Sequence, residues 1–263
     1  MKLGISTASL YPLETEIALE EIAKQGVTAT EIFYNSGIER KNYFTDLAAD
    51  IKESYGINIT ALHPMLSFAE PYMIFSEYTR RFDQAQEDFN HYFETAASLG
   101  AKFINLHGDR PNGKLSVEEY CERFGILAEN AKSFGVTLCQ ENVNGYRSAD
   151  PEFLREMNNQ LGHLANFTLD IKQCIRAGYT VTEIIDSMGE NICHVHISDH
   201  GVGGDCLLPG NGGFNFRGLF ELFAQKNYKG AFLIEVYRNA YKEPYELFES
   251  YKILKKQNNN LFE

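Results

Sequence analysis

The sequence predicts an α/β fold: a single (β/α)8 TIM barrel over residues 1–263, with its active site at the C-terminal ends of the strands. Eight short apolar runs alternate with about eight helical runs at intervals of roughly 25–40 residues, as expected for parallel strands joined by helices. No linker divides the chain, and 263 residues is a normal length for one barrel. Both observations favour one closed barrel.

The predicted strands are short apolar runs, and several helices have recognisable ends. The strands are predicted at residues 2–7, 29–34, 57–62, 102–106, 136–140, 166–169, 194–197 and 231–236. The helices are predicted at residues 15–25, 46–55, 76–99, 116–134, 180–188, 216–226 and 245–255, with a short one from residue 150 and a fraying tail at 256–260. Ser116 with Glu119 forms a capping-box pattern, and Asp150 before Pro151 marks another helix start. A doubly wound open sheet is the alternative, but the turn at residues 6–10 lacks the glycines usual after its first strand.

Composition and charge indicate a soluble protein that acts on small molecules. The chain is 44% hydrophobic and 23% charged, and no apolar stretch reaches the ~20 residues that span a membrane. The N-terminal residues lack a signal-peptide pattern, so a cytoplasmic location is expected. The net charge of −12 disfavours nucleic acid and anionic membranes as partners. The five cysteines include no C-x-x-C pair and are expected to be free thiols.

Six of the eight predicted strands end in a residue that can bind a metal or transfer a proton. These residues are His63, His107, Glu141, Asp170, His196 and Glu235. The C-terminal ends of parallel barrel strands open on one face, so the six side chains are expected to meet there. A single histidine at a strand end is more often structural, but packing does not explain six such residues together. Glu235 is the clearest signal, because an isolated carboxylate within an apolar run is costly to bury without a partner.

Four of these residues form the predicted centre, namely Glu141, Asp170, His196 and Glu235. Three carboxylates and one imidazole suit one divalent ion, with Mn²⁺ as the first expectation and Mg²⁺, Co²⁺ or Zn²⁺ as alternatives. Such an ion polarises a carbonyl or alkoxide of a substrate. Two of the carboxylates could then act as bases on opposite faces of a substrate carbon.

An ordered series of short segments gives a family resemblance. The segments are residues 62–64, 105–107, 140–142, 169–170, 194–199, 208–212 and 234–235. In this series the chain resembles the xylose isomerase-like barrel superfamily, which includes sugar isomerases and epimerases, enzymes of inositol catabolism and family 2 apurinic-site endonucleases. The resemblance implies that the four central residues bind the metal. It also implies that Glu141 and Glu235 remove and return a proton beside a carbonyl.

The resemblance also implies roles for residues around the centre. His63 and His107 correspond to histidines that contact substrate in some members and hold a second metal in the endonucleases. A site with two metal ions therefore stays an alternative. Many relatives have a histidine where this chain has Gln173, and in the endonucleases that histidine belongs to a third metal site. DNA cleavage is therefore disfavoured, and Gln173 is expected to contact substrate instead.

The glycine-rich residues 201–213 have two interpretations. Their backbone N–H groups could surround a phosphate, helped by Lys172, His200 and Arg238, or the segment could be a flexible turn. His200 is therefore included among the expected substrate-binding residues, with His63, His107 and Gln173.

The expected function is a metal-dependent isomerase or epimerase of carbohydrate metabolism, acting on a small sugar, sugar phosphate or polyol-derived ketone. A dehydratase of the dehydroshikimate type is the first alternative, an apurinic-endonuclease-like DNA repair enzyme the second, and a non-catalytic binding barrel the third. The sequence leaves open the sugar, the stereocentre, the metal and whether the protein forms a homo-oligomer.

Overall fold

Eight parallel strands form a closed barrel in the computed structural model, which describes residues 1–262 apart from the side chains of residues 66 and 67. The barrel strands are β1 (Lys2–Ser6), β2 (Ala29–Phe33), β3 (Asn58–His63), β4 (Phe103–Leu106), β5 (Thr137–Glu141), β6 (Phe167–Asp170), β7 (Ile192–Ile197) and β10 (Ala231–Ile234). Neighbours follow chain order, and β10 closes the barrel by pairing with both β7 and β1. The predicted (β/α)8 barrel is confirmed.

Helices connect the strands and cover the outside of the barrel. They are α1 (Thr15–Lys24), α2 (Asn42–Tyr55), α3 (Glu70–Met73), α4 (Thr79–Leu99), α5 (Val117–Ser133), α6 (Pro151–Leu161), α7 (Ile171–Ala177), α8 (Val181–Met188), α9 (Phe216–Gln225) and α10 (Pro244–Gln257). The capping box of Ser116 and Glu119 is present, and Asp150 caps α6 ahead of Pro151. Among residues 1–262, none of the helices combines the length and apolarity needed to cross a bilayer.

Two elements in the second half of the chain were not predicted. Helix α7 starts immediately after Asp170, whose side chain accepts the Gln173 N–H and caps the helix. At seven residues, α7 is too short to show a helical period in the sequence. The glycine-rich segment contains an antiparallel hairpin of β8 (Asp199–Gly201) and β9 (Gly204–Leu207), where a flexible turn was one expectation.

Some predicted boundaries also differ from the structure; helix α2, for example, begins at Asn42, four residues before its predicted start. Helix α4 begins at Thr79, because the Ser76 hydroxyl accepts the Tyr78 N–H in the preceding turn. The tail was expected to fray, but α10 continues to Gln257 and Asn258 is only 3% exposed. The Phe262 ring then packs 4.8 Å from that of Phe220, and this apolar contact anchors the tail.

The backbone register of the strands places the candidate metal ligands at the same end of the barrel. Asp170 of β6 is the Cα partner of His196 in β7, and Leu233 of β10 is the partner of that same histidine. Glu141 lies beside Thr168, two residues before Asp170. The three strands β5, β6 and β7 therefore bring their final polar residues to the same end of the barrel.

Gly4 tests how tightly the barrel is closed. A Cβ at this position would overlap the Ala29 carbonyl oxygen and contact the Leu233 side chain. We expect Gly4→Ala to lower the free energy of unfolding by about 1–3 kcal/mol or more, because a closely packed interior cannot relax around it. Gly213→Ala, where a Cβ meets nothing within 4 Å, is the control and should change stability by less than about 0.5 kcal/mol. Denaturant unfolding of both variants measures the difference, and equal stabilities would contradict the packing argument.

Candidate active site

Four buried ligand-type residues meet at the C-terminal end of the barrel, as the sequence predicted. One ligand atom from each of them lies within 4.8 Å of the others; the residues are Glu141, Asp170, His196 and Glu235. The Nδ1 atom of His196 is central: it lies 3.5 Å from an oxygen of Glu141 and 3.6 Å from oxygens of Asp170 and Glu235. This group is called the central cluster below.

The amide side chains on either side of Glu141 fix the neighbouring strand ends. The Asn142 amide donates to the Asp170 carbonyl at 3.0 Å and accepts the Asp170 N–H at 2.7 Å, which extends the sheet by one side-chain pair. The Gln140 amide nitrogen donates to the carbonyl oxygens of Leu106, His107 and Glu141. Residues 140–142 therefore supply Glu141 and also hold the backbone of Asp170 and His107 by hydrogen bonds.

The first loop holds the strand that carries Glu235. The Ser9 hydroxyl donates to the Ile234 carbonyl and accepts the Val236 N–H, both at 3.1 Å. The Glu235 N–H itself donates to the Ile197 carbonyl at 3.0 Å. Glu235 is thus fixed on both sides by hydrogen bonds to a buried backbone.

Lys172 is a buried cation inside this site. Its Nζ donates to Asp170 and to Glu235, the latter at 2.7 Å, and the side chain is only 2% exposed. The short helix α7 makes this possible, because it returns the second residue after Asp170 towards the barrel axis. The sequence suggested Lys172 only as an aid to phosphate binding, and its contact with Glu235 was not foreseen.

His63 and His107 form a second group beside the central cluster. Their Nε2 atoms are 2.9 Å apart, and they lie 3.4 Å and 3.3 Å from one oxygen of Glu141. The His63 ring stacks on Phe33 at 4.4 Å. The expectation that these histidines flank the centre agrees with this placement, and their contact with substrate stays a prediction.

A cavity of about 280 Å³ opens above these groups. Its walls come from several strand ends and their loops: Ala8, Tyr11, Phe33, Asn35, His63, His107, Glu141, Lys172, Gln173, Glu235, Val236, Tyr237 and Arg238. The volume is close to that of a small ligand pocket. Gln173 lies in the wall, and its side-chain oxygen accepts the Asn144 N–H at 3.1 Å.

His200 lies away from this cavity. It belongs to β8, and its ring packs 5.5 Å from that of Phe214. Among the described residues, His200 is not part of the cavity wall, so its predicted contact with substrate stays a prediction that the geometry does not favour.

The glycine-rich segment uses its N–H groups internally. The Asp199 carboxylate accepts the backbone N–H groups of Gly210, Gly212 and Phe214, each at 2.9 Å. A phosphate at this segment would have to compete with a buried carboxylate for the same donors. The phosphate interpretation of residues 201–213 is therefore disfavoured, and the segment is a folded support for the barrel mouth.

The two expected bases are ionised in this environment. Burial would raise the pKa of Glu141, but the surrounding imidazoles, chiefly that of His107, hold it well below its usual range. Burial likewise opposes ionisation of Glu235, while His196 and Lys172 lower its pKa. Carboxylates in this state can accept protons or bind a cation.

The central cluster also fits a divalent cation. Among the described residues, the buried atoms Nδ1 of His196 and Oε2 of Glu235 have no hydrogen-bond partner, since their neighbours are 3.5–3.6 Å away. Unpaired buried polar atoms are costly, and two that face each other at 3.6 Å indicate a missing partner between them. Three oxygens and one imidazole nitrogen are a donor set for Mn²⁺, Mg²⁺, Co²⁺ or Zn²⁺.

Glu31 is a buried residue of the site that the sequence analysis missed. It lies in the middle of β2, is 0% exposed, and is 3.1 Å from the Nε2 atom of His196. A carboxylate within the apolar run at residues 29–34 was the available signal, the same signal that identified Glu235. Its position in the middle of β2 separates it along the chain from the strand-end residues that barrel topology groups together.

The fold and this site define a class: a (β/α)8 barrel with carboxylate and imidazole ligands at its strand ends. A family model described as the xylose isomerase-like TIM barrel matches residues 19–257. The chain therefore belongs to the xylose isomerase-like TIM barrel family, as the resemblance implied.

Individual relatives are distant but cover almost the whole chain. An uncharacterized protein of Mycobacterium leprae (strain TN) is 25% identical over 257 residues, which cover 90% of this chain and 89% of that protein. A D-tagatose 3-epimerase-like protein has a similar structure, with a TM-score of 0.77, 22% identity and coverage of 99% of this chain and 98% of that one. The apo structure of 3-keto-D-glucoside 4-epimerase from E. coli also gives a TM-score of 0.77, at 18% identity over 97% and 99% of the two chains. These structural likenesses establish the fold.

Glu70 gives a pH-dependent prediction. Burial raises the pKa of its carboxyl to about 8, and one oxygen accepts the Gly108 N–H at 2.7 Å. Between pH 4.5 and 8 the folded protein therefore keeps a proton that the unfolded chain has lost, so this residue lowers the free energy of unfolding as the pH rises. We expect Glu70→Gln to gain stability relative to the original protein from pH 5 to pH 8. Unfolding curves across this range measure the difference, and parallel pH dependences would contradict it.

Proposed function

We propose that this protein is a divalent-metal-dependent isomerase or epimerase of a small sugar or sugar phosphate, which transfers a proton at the carbon next to a carbonyl. The observation that carries the proposal is the central cluster, in which two ionised glutamates face one imidazole beneath a small cavity. The names of the structural neighbours, which include sugar epimerases, support the substrate class.

The metal would be held by Glu141, Asp170, His196 and Glu235. When bound there, a divalent ion supplies positive charge that polarises a substrate carbonyl and stabilises an enediolate. Mn²⁺ is our first choice, since the ligands are mostly carboxylate oxygens.

Each proposed base has one oxygen in the central cluster and one directed elsewhere. Glu141 directs Oε1 to His196 and Oε2 to His63 and His107. Glu235 directs Oε2 to His196 and Oε1 to Lys172. Either carboxylate could therefore bind the cation with the oxygen that faces His196 and exchange a proton with substrate through its other oxygen.

Proton exchange would run from one glutamate to the other across the substrate carbon. One carboxylate would remove the proton on its face of the carbon. The other would first take a proton from its neighbouring donor, Lys172 for Glu235 or a histidine for Glu141, and would then return it to the opposite face, which inverts the stereocentre of an epimerase substrate. Exchange with solvent would restore the starting protonation of both glutamates. His63 and His107 would orient hydroxyl groups on the Glu141 side, and Gln173 would do so from the cavity wall. The charge of Lys172 beside Glu235 would favour the carboxylate form of this base.

Metal loading tests the first part of the proposal. We expect the purified protein to bind about one equivalent of Mn²⁺, and chelation to abolish turnover that Mn²⁺ restores. Asp170→Asn should weaken Mn²⁺ binding by at least about tenfold, because it removes a charged ligand oxygen. The exposed Glu249→Gln is a control that should bind normally. Full turnover in a metal-free sample would contradict the proposal.

Solvent exchange tests the proton transfer. In D₂O, a ketose substrate should gain deuterium at the carbon next to its carbonyl. Glu141→Gln and Glu235→Gln should each slow this exchange by about 10²–10⁴-fold, the usual contribution of a positioned base. NMR of the recovered sugar measures the exchange, and Glu249→Gln should leave it unchanged. Wild-type exchange in either glutamate variant would rule out its role as a base.

A further inference from the structure

Glu31 lies below the central cluster, inside the barrel, where solvent does not reach it. The interior of such a barrel is commonly filled by aliphatic side chains. Here the middle residue of β2 is a glutamate whose side chain is 0% exposed. A buried carboxylate is costly unless hydrogen-bond donors surround it, so its neighbours indicate what it is for.

The donors around Glu31 form a directed chain. Thr168 Oγ1 donates to the Asn105 side-chain oxygen at 2.5 Å, which leaves the Asn105 amide nitrogen to donate elsewhere. The Asn105 nitrogen then donates to Oε2 of Glu31 at 2.6 Å. Because Oε2 already receives this N–H, it acts as an acceptor and not as a proton donor.

This oxygen determines which ring nitrogen of His196 carries a hydrogen. The Nε2 atom of His196 lies 3.1 Å from the same Oε2, so Nε2 must carry the hydrogen of this bond. A neutral imidazole with its hydrogen on Nε2 has its lone pair on Nδ1. Nδ1 is the atom that faces the three carboxylates of the central cluster.

We infer that Glu31 is a positioning residue that holds His196 in the orientation and tautomer in which Nδ1 binds the divalent cation. The inference rests on the metal site of the proposed function and adds a residue that the family resemblance did not supply. Partners of this kind, behind a metal-binding histidine, typically change metal affinity by about 10–100-fold. The Nε2 atom of His194 also lies 3.1 Å from Oε2 of Glu31, but His194 contributes no atom to the central cluster. The contact between Glu31 and the central cluster is therefore made through His196.

Two substitutions separate charge from position. Glu31→Gln keeps the shape but removes the charge, and Glu31→Asp keeps the charge but withdraws it by one methylene. We expect Mn²⁺ to bind Glu31→Gln about 10–100-fold more weakly and Glu31→Asp about tenfold more weakly. Thr168→Val is the matched control: it removes a buried hydrogen bond of the same chain but leaves the contact between Glu31 and His196 in place. This control should lose stability and keep its Mn²⁺ affinity.

A spectroscopic measurement reports His196 itself. In the Cu²⁺-loaded protein, electron spin-echo modulation detects the remote nitrogen of a metal-bound imidazole, whose coupling depends on its hydrogen bond. The coupling should change in both Glu31 variants and stay constant in Thr168→Val. Circular dichroism of metal-free samples of the same variants confirms that they are folded, and calorimetric Mn²⁺ titration of these samples gives their affinities.

The outcomes distinguish this inference from the proposed function. Unchanged Mn²⁺ affinity and unchanged nitrogen coupling in folded Glu31 variants would overturn the role of Glu31 alone, and so would an equal loss of affinity in Thr168→Val. A wild-type protein that binds no Mn²⁺ would overturn the metal site and this inference together. Normal metal binding without deuterium exchange would overturn the isomerase proposal and leave the Glu31 result standing.

Discussion

The structure depends on the burial of four carboxylates around one imidazole at the centre of the barrel. The carboxylates belong to Glu31, Glu141, Asp170 and Glu235, and the imidazole belongs to His196. Burying this much charge is unfavourable unless each oxygen has a donor or a cation. The arrangement of the strand ends follows from that requirement, since each carboxylate must be held where its partners can reach it.

Backbone-bound amides and hydroxyls hold these groups in place. Asn142 joins the end of β5 to Asp170, Gln140 joins it to the end of β4, and Ser9 fixes the residues on both sides of Glu235. The proposed reacting groups therefore lie at strand ends that are fixed from the side, while the loops contribute to the cavity wall. Sites built on rigid elements keep the geometry that proton transfer and metal binding require.

The central cluster has two levels with different tasks. Above it, His63 and His107 contact Glu141 and face the cavity, where a substrate would enter. Below it, Glu31 and Asn105 form hydrogen bonds that solvent does not reach. The upper level lines the cavity, and the lower level contacts the Nε2 side of the His196 ring. His196 connects the two levels through its two ring nitrogens.

The sequence by itself determined the eight-unit barrel and the four residues of the central cluster. Strand periodicity and the topology of a parallel barrel place strand-end residues on one face, so Glu141, Asp170, His196 and Glu235 could be grouped without coordinates. Only the tertiary structure decided the contacts of Glu31, Lys172 and Asn142, the hairpin at residues 199–207 and the internal use of the glycine-rich N–H groups. These depend on contacts between distant strands and on side-chain direction. Local patterns encode neither, because a buried residue's partners are set by the packing of the whole barrel.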